Sequence, residues 1–69
     1  LEEIKFAVQI NGKTRDIITI KKDTNEKEVD QILKRNEKIQ KYFVDQKISK
    51  KIFVKNKIIN YIIQKWINF

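Results

Sequence analysis

Two cations follow a tight-turn signal near the start of the chain. Lys13 and Arg15 come directly after Asn11-Gly12, a dipeptide typical of two-residue hairpin loops because both residues tolerate positive φ. An ammonium and a guanidinium on a rigid hairpin suit phosphate groups, which Arg can bind through two parallel hydrogen bonds. The alternative interpretation is an ordinary solvated hairpin rim. Lys13 and Arg15 are therefore candidate phosphate contacts.

Basic charge is concentrated in the last third of the chain. The net charge is +7, and residues 47–69 hold six lysines and no acidic residue. A segment of one sign attracts polyanions, so RNA, DNA or an anionic membrane surface are the partner classes indicated. Lys51 and Lys55 are candidates on this ground alone. Ile, Lys and Asn make up 34 of the 69 residues, a bias that A/T-rich codons would also produce, so charge does not decide by itself.

The composition removes most catalytic chemistry. The chain has no Cys and no His, so it lacks the thiolates and imidazoles of disulfides, zinc sites and nucleophilic triads. We expect no catalytic residue, no metal site and no cofactor in this segment. A chain of 69 residues has room for a single domain, 1–69, with a small core.

Neither a leader nor a membrane span is expected. The chain starts at Leu1 with alternating polar and apolar residues instead of a charged start before an apolar run. Its apolar stretches, 52–54 and 58–63, are far shorter than the roughly 20 residues that cross a bilayer. The sequence predicts a soluble, cytoplasmic piece of a longer protein.

Residues 4–10 and 14–20 predict a hairpin, since each alternates apolar and polar side chains with period two. Its register has two solutions. A two-residue loop sets Ile10 opposite Lys13. An odd-length loop or a bulge instead places on the face of Phe6 and Val8 the side chains of Thr14, Asp16, Ile18 and Ile20. We favour the odd-length loop because it leaves both cations in solvent.

Two short amphipathic helices follow in the prediction. Asn25 with Glu28 three residues later fits a capping box, and Val29, Ile32 and Leu33 recur at helical spacing. Asn36 ends this element, after which Ile39, Tyr42 and Phe43 repeat the spacing. Both apolar stripes need a sheet to cover.

Residues 47–54 predict a third strand and residues 58–63 a fourth. The turn between them contains Asn56, which can adopt the left-handed conformation. A helix over 58–69 stays open, because one helical face would carry Ile59, Ile62, Ile63, Trp66 and Ile67. Four aromatic residues at apolar positions are expected in the core: Phe6, Tyr42, Phe43 and Phe53. For Trp66 and Phe69 three alternatives stay open, which are stacking on a nucleic-acid base, packing back on the sheet and disorder, and packing is favoured.

Residues 8–16, Val-Gln-Ile-Asn-Gly-Lys-Thr-Arg-Asp, resemble the hairpin that opens the C-terminal domain of bacterial leucyl-tRNA synthetases, where V-Q-V-N-G-K-x-R is usual. Thr19-Ile20 with Asp23 is similar to the family's I-T-V and acidic helix start. Residues 38–42 resemble its K-V-Q-K-Y, and residues 48–62 its I-R-K-V-I-x-V-P-G-K-L-V-N-I-V. The resemblance covers residues 6–63 in unbroken order.

The resemblance implies an α+β domain of β-β-α-β-β order, with a four-stranded sheet and one or two short helices packed on one face. It implies a monomeric, non-catalytic domain that positions tRNA(Leu) through its outer corner for aminoacylation and editing by the full-length ligase. The implied partners are tRNA(Leu) and the rest of the synthetase chain, while ATP and Mg²⁺ would serve the parent enzyme only. Lys50, Lys57 and Asn60 match family positions and join the RNA-binding candidates, although Asn60 could instead satisfy backbone groups.

The chain also departs from the family pattern. Ser49 stands where the family has Arg, Lys55-Asn56 stands where it has Pro-Gly, and the tail 64–69 has no counterpart. Residues 47–51 resemble the K-M-S-K-S loop of class I synthetases, but they fit the third strand and no partner motif accompanies them. The alternative function is a protein-docking or membrane-surface module, which requires a basic amphipathic helix over 58–69.

Overall fold

A computed structural model describes residues 2–65. The chain forms four strands and two short helices in the order β-β-α-α-β-β. Their bounds are β1 Glu3–Ile10, β2 Lys13–Lys21, α1 Glu26–Lys34, α2 Glu37–Gln40, a 3₁₀ turn Lys41–Phe43, β3 Gln46–Val54 and β4 Ile58–Lys65. The α+β fold class and the two helices on one sheet are confirmed.

The strands form one mixed sheet in the order β2-β1-β4-β3. Both hairpins are antiparallel, and they join through β1 and β4, which run parallel. This central pairing covers only four residue pairs, from Ala7 opposite Ile58 to Ile10 opposite Tyr61. The two hairpins are therefore staggered, and the molecule is elongated, with extents of 50 × 20 × 20 Å.

The first hairpin combines both register solutions. Its loop has two residues, Asn11 and Gly12, with φ of 52° and 82°, and Ile10 lies opposite Lys13. The odd-length loop was therefore wrong, and Thr14 lies opposite Gln9 on the other face. A bulge at Arg15 then restores the predicted face for the rest of the strand, because an extra residue on one strand shifts the register by one. The residues restored to the face of Phe6 and Val8 are Asp16, Ile18 and Ile20.

Asparagine side chains begin both helices: the sequence predicted this for Asn25, whereas it took Asn36 only as the end of the first helical element. The Asn25 side chain accepts a hydrogen bond from the Glu28 backbone N–H at 2.9 Å and begins α1. The Asn36 side chain accepts from the N–H groups of Lys38 and Ile39 and begins α2. These bonds satisfy N–H groups that have no partner inside the helix.

The core lies between the helices and one face of the sheet. Phe6, Val8 and Ile59 on the central strands are fully buried, and they meet Leu33 of α1 and Ile39 of α2. The predicted aromatic residues are confirmed in this region. Phe6 is buried, and the side chains packed against the core at partial burial include Tyr42, Phe43 and Phe53.

The fourth element is a strand. Residues 58–65 pair with β3 throughout and with β1 at their start, so the helix over 58–69 is wrong for every residue up to Lys65. Strands pair with β4 on both sides of Ile59 and Tyr61, and both side chains lie buried on the core face. This pairing decides between strand and helix, which periodicity alone did not. Gln64 and Lys65 extend the strand, while the predictions for Trp66 and Phe69 lie outside the described residues. Among residues 2–65, no helix is long and apolar enough to cross a bilayer.

Candidate nucleic-acid interface

Two cations from different elements, Arg15 of the first hairpin and Lys41 of the 3₁₀ turn, lie against one aromatic ring. The Arg15 guanidinium carbon lies 5.3 Å from the centre of the Tyr42 ring, and the Lys41 Nζ lies 5.5 Å from the same centre. Both distances are within the range of cation–π attraction. Lys13 precedes Arg15 by two residues on β2 and is exposed. We call Lys13, Arg15, Lys41 and Tyr42 the hairpin patch.

The bulge explains how Arg15 reaches the helix side of the sheet. In a regular ladder, neighbouring side chains alternate between faces, whereas a bulge re-aims the side chain of the extra residue. Arg15 is the extra residue between the pairs Gln9–Thr14 and Val8–Asp16. Its neighbour Asp16 accepts a hydrogen bond from the Asn36 side-chain amide at 2.9 Å. Because Asn36 begins α2, this bond joins β2 to the helix that precedes Tyr42.

The hairpin patch keeps its positive charge available. Between residues 2 and 65, no ion pair involves Lys13, Arg15 or Lys41. The nearby Asp16 carboxylate already accepts hydrogen bonds from the Ile17 backbone N–H and from Asn36. Lys41 was missed in the sequence because it was assigned only to a helical segment. The sequence signal that could have found it is its position next to Tyr42, an aromatic residue at an apolar position of the predicted helix.

Lys55 and Lys57 flank Asn56 in the second hairpin turn and are exposed. Asn56 adopts the left-handed conformation, with φ of 66°, as predicted. Its side chain accepts from the Asp23 backbone N–H and donates to the Asp23 carboxylate, so this turn is held against the end of β2. Because β1 and β4 run parallel, a turn after β1 and a turn before β4 point in opposite directions. These two lysines therefore belong to a different turn from the one that precedes the hairpin patch.

Lys50 and Asn60 lie on the face of the sheet away from the helices. Lys50 is exposed and pairs with Ile62 next to the bulge at Ser49. The Asn60 side-chain oxygen accepts a hydrogen bond from the Gly12 backbone N–H at 3.1 Å, which is the structural role that the sequence analysis weighed for it. Contact of either residue with RNA stays a prediction.

Lys51 belongs to a polar network on the core face. Its Nζ donates to one oxygen of Asp30 at 2.5 Å, and the Tyr61 hydroxyl donates to the other. Glu26 lies 3.9 Å from the same Nζ. Burial, together with the hydrogen bond to the Asp30 carboxylate, raises the pKa of Tyr61 well above its ordinary value. The geometry favours a structural role for Lys51, and its RNA contact stays a prediction.

Between residues 2 and 65, no group of three or more acidic side chains is placed to hold a metal ion. The segment 47–51, which resembles a nucleotide-binding loop, lies within β3. Within residues 2–65, the cations of the hairpin patch and of the second turn take part in no ion pair.

Comparisons with known proteins agree with the resemblance. No family model matches the chain. The leucine–tRNA ligase of Petrotoga mobilis is 48% identical over 63 residues, and that of Thermotoga maritima is 35% identical over 63 residues. Each alignment covers 91% of this chain and 8% of the ligase. The chain thus spans less than a tenth of the length of these relatives.

A solved structure gives the same result for the fold. The crystal structure of the ternary complex of Agrobacterium radiobacter K84 agnB2 LeuRS with tRNA and LeuAMS matches with a TM-score of 0.83 and 27% identity. The match covers 91% of this chain and 8% of that one. The class to which the chain is similar is therefore the aminoacyl-tRNA synthetases. Within that class, the similarity is to the C-terminal region of leucyl-tRNA synthetases, as the sequence resemblance predicted.

Proposed function

We propose that this chain is a non-catalytic tRNA-binding domain of a leucyl-tRNA synthetase. In this proposal it holds the outer corner of tRNA(Leu) so that the parent enzyme can aminoacylate and edit. The partners are tRNA(Leu) and the remaining synthetase chain, which would also contain the ATP and Mg²⁺ chemistry in the cytoplasm. Similarity to leucine–tRNA ligases over 91% of the chain supports the parent enzyme, and the cations of the domain support the RNA.

The observation that carries the RNA assignment is the hairpin patch. Arg15 and Lys41 both contact the Tyr42 ring, and neither forms an ion pair with another residue between 2 and 65. The hairpin beneath them is held by the Asn11 side chain, which accepts from the Ile63 backbone N–H at 2.9 Å. Cations on a rigid support suit phosphates, because less side-chain freedom is lost on binding. RNA helices are recognised largely through such backbone contacts.

The test is a charge-matched comparison of two triple variants. Lys13→Gln, Arg15→Gln and Lys41→Gln together remove three charges from the hairpin patch. The control, Lys5→Gln, Lys21→Gln and Lys22→Gln, removes three charges from the end of the first hairpin opposite the Asn11-Gly12 loop. Affinity for tRNA(Leu) is measured at several salt concentrations. Each lost phosphate contact lowers the slope of log affinity against log salt by about 0.7–0.9.

We expect the hairpin variant to lower affinity at least tenfold and to flatten the salt slope by about 2. The control should keep most of the slope. Equal losses in the two variants would mean that net charge, and not the hairpin patch, holds the RNA. A non-cognate tRNA without a long variable arm, titrated in parallel, separates recognition of the common outer corner from recognition of tRNA(Leu) itself.

A further inference from the structure

A cleft of about 370 Å³ opens between α1 and β3 on the helix side of the sheet. Leu33 and Tyr61 form its apolar floor, and Ile48 forms the wall on β3. Ligand pockets are commonly about 300–1,000 Å³. This cleft is therefore large enough for one nucleotide and too small for a paired helix.

The wall on α1 carries two lysines and an amide. Lys27, Gln31 and Lys34 are spaced i, i+4 and i+7, so they lie on the same side of the helix. All three are exposed and line the cleft. No ion pair within the described part of the chain involves Lys27 or Lys34. These ammonium groups can meet an anion at the rim of the cleft.

The acidic group in the cleft is already satisfied. Both oxygens of the Asp30 carboxylate accept hydrogen bonds, one from Lys51 and one from Tyr61. Its negative charge is balanced by Lys51, which also lies within 4 Å of Glu26. Counting Lys27 and Lys34, three ammonium groups face the two carboxylates of Asp30 and Glu26, so the cleft keeps a net positive charge toward an anion.

Ile48 gives the cleft an apolar contact surface that the fold leaves uncovered. Its side chain is 49% exposed although it adjoins the core. A large aliphatic side chain facing an amide and two cations suits a flat heteroaromatic ring that carries a phosphate. The ring removes Ile48 from water, its polar edge meets Gln31, and the phosphate meets the lysines.

We propose that the cleft between α1 and β3 binds a single unstacked nucleotide. The base packs on Ile48, Gln31 reads its edge, and Lys27 and Lys34 hold its phosphate. This inference rests on the proposed function, which supplies the nucleotide as an unpaired residue of the tRNA. The cleft is distinct from the hairpin patch, since the two share no residue.

The first test is an NMR titration of the chain with AMP, CMP, GMP and UMP, with ribose 5-phosphate as the probe that lacks a base. We expect saturable shifts at the backbone amides of Gln31, Lys34 and Ile48 in the millimolar range with at least one nucleotide. Ribose 5-phosphate should give at least fivefold weaker binding. Equal binding of the mononucleotides and of ribose 5-phosphate, or no saturable shift at these amides, would overturn the proposal.

Matched variants locate the binding. Ile48→Ala should weaken nucleotide binding at least fivefold. Ile52→Ala, on the same strand but the opposite face and 38% exposed, should leave it unchanged. The double variant Lys27→Gln and Lys34→Gln changes only exposed side chains, so it tests the phosphate contact without risk to the core. Unchanged binding in both cleft variants would overturn the assignment.

Binding of tRNA(Leu) separates this inference from the proposed function. If the tRNA supplies the nucleotide, Ile48→Ala lowers tRNA affinity about threefold or more. The mononucleotide that binds best should then compete with the tRNA, as measured by the shifts of the Gln31, Lys34 and Ile48 amides. If Ile48→Ala weakens mononucleotides alone, the cleft takes a free nucleotide and the tRNA source is overturned. The triple variant of the hairpin patch should lose tRNA and keep mononucleotide binding. A failure of the proposed tRNA binding can therefore be distinguished from a failure of nucleotide binding in the cleft.

Discussion

Tyr61 lies at the centre of the buried polar network between β4 and α1. Its side chain is 3% exposed and donates to Asp30, which also accepts from Lys51. Deprotonation would place a phenolate next to the Asp30 carboxylate, so burial and this neighbour raise the pKa of Tyr61 in the folded state. In the unfolded chain the pKa returns to about 10.

The shift predicts a loss of stability in alkali. Below about pH 10, Tyr61 is protonated in both states and contributes no pH dependence. Above it, the unfolded chain releases a proton that the folded chain retains, so stability falls by about 1.4 kcal/mol per pH unit. Tyr61→Phe removes this contribution. Urea unfolding at pH 8, 10 and 11 should therefore show the two proteins converging as pH rises.

The stability difference between Tyr61→Phe and the unchanged protein at pH 8 is the reference for the values at higher pH. At pH 8, Tyr61→Phe loses the hydrogen bond to the Asp30 carboxylate and should be less stable by about 1.5–3 kcal/mol. Parallel stability curves from pH 8 to pH 11 would contradict the raised pKa.

The caps of the two helices contribute unequally to the free energy of unfolding. Asn25 is exposed and caps α1 through the Glu28 N–H. Asn36 is half-buried, caps α2 through two N–H groups, and also donates to Asp16 of β2. Loss of an Asn cap costs about 1 kcal/mol, and a hydrogen bond to a charged group adds about 1.5–3 kcal/mol. Asn36 therefore contributes to α2 and to its attachment to the sheet.

We expect Asn36→Ala to lower the free energy of unfolding by about 2–4 kcal/mol and Asn25→Ala by about 1 kcal/mol. Asn36→Ser keeps a capping oxygen but cannot reach Asp16, so its loss should lie between the two. Thermal and urea unfolding measure these differences. Equal losses in the two alanine variants would show that the bond to Asp16 contributes nothing.

The elements that the sequence predicted are those specified by neighbouring residues. The Asn11-Gly12 turn, the Asn25 cap and the left-handed Asn56 depend on a few adjacent positions. A bulge was one of the two solutions that the sequence offered for this register, but its position at Arg15 was not predicted. That position depends on matching β2 to the core face of β1 across the whole hairpin. The pairing of Lys51 with Asp30 joins residues 21 positions apart, and no local pattern indicates it. For the same reason the sequence nominated Lys13 and Arg15 but not Lys41.

At the scale of the whole molecule, the narrow joint between the hairpins decides stability. β1 and β4 share only four residue pairs, and side chains extend this joint at both ends. Near one end, Gly12 donates to Asn60, and Asn11 accepts from Ile63. Near the other, Asn56 exchanges two hydrogen bonds with Asp23. The asparagines therefore hold together two hairpins that would each be marginal alone.

This arrangement predicts the order of hydrogen exchange. Amides of residues 8–10 and 59–61 lie on the two central strands beside the buried core, so they should exchange slowest, at the rate of global unfolding. Amides on the outer edges of β2 and β3 should exchange far faster. Asn60→Ala removes the acceptor for Gly12 and should speed exchange across the joint, whereas Asn25→Ala should speed it mainly in α1. If each hairpin exchanged as its own unit at its own rate, the four central pairs would not couple them, and the rigid support proposed for the hairpin patch would be lost.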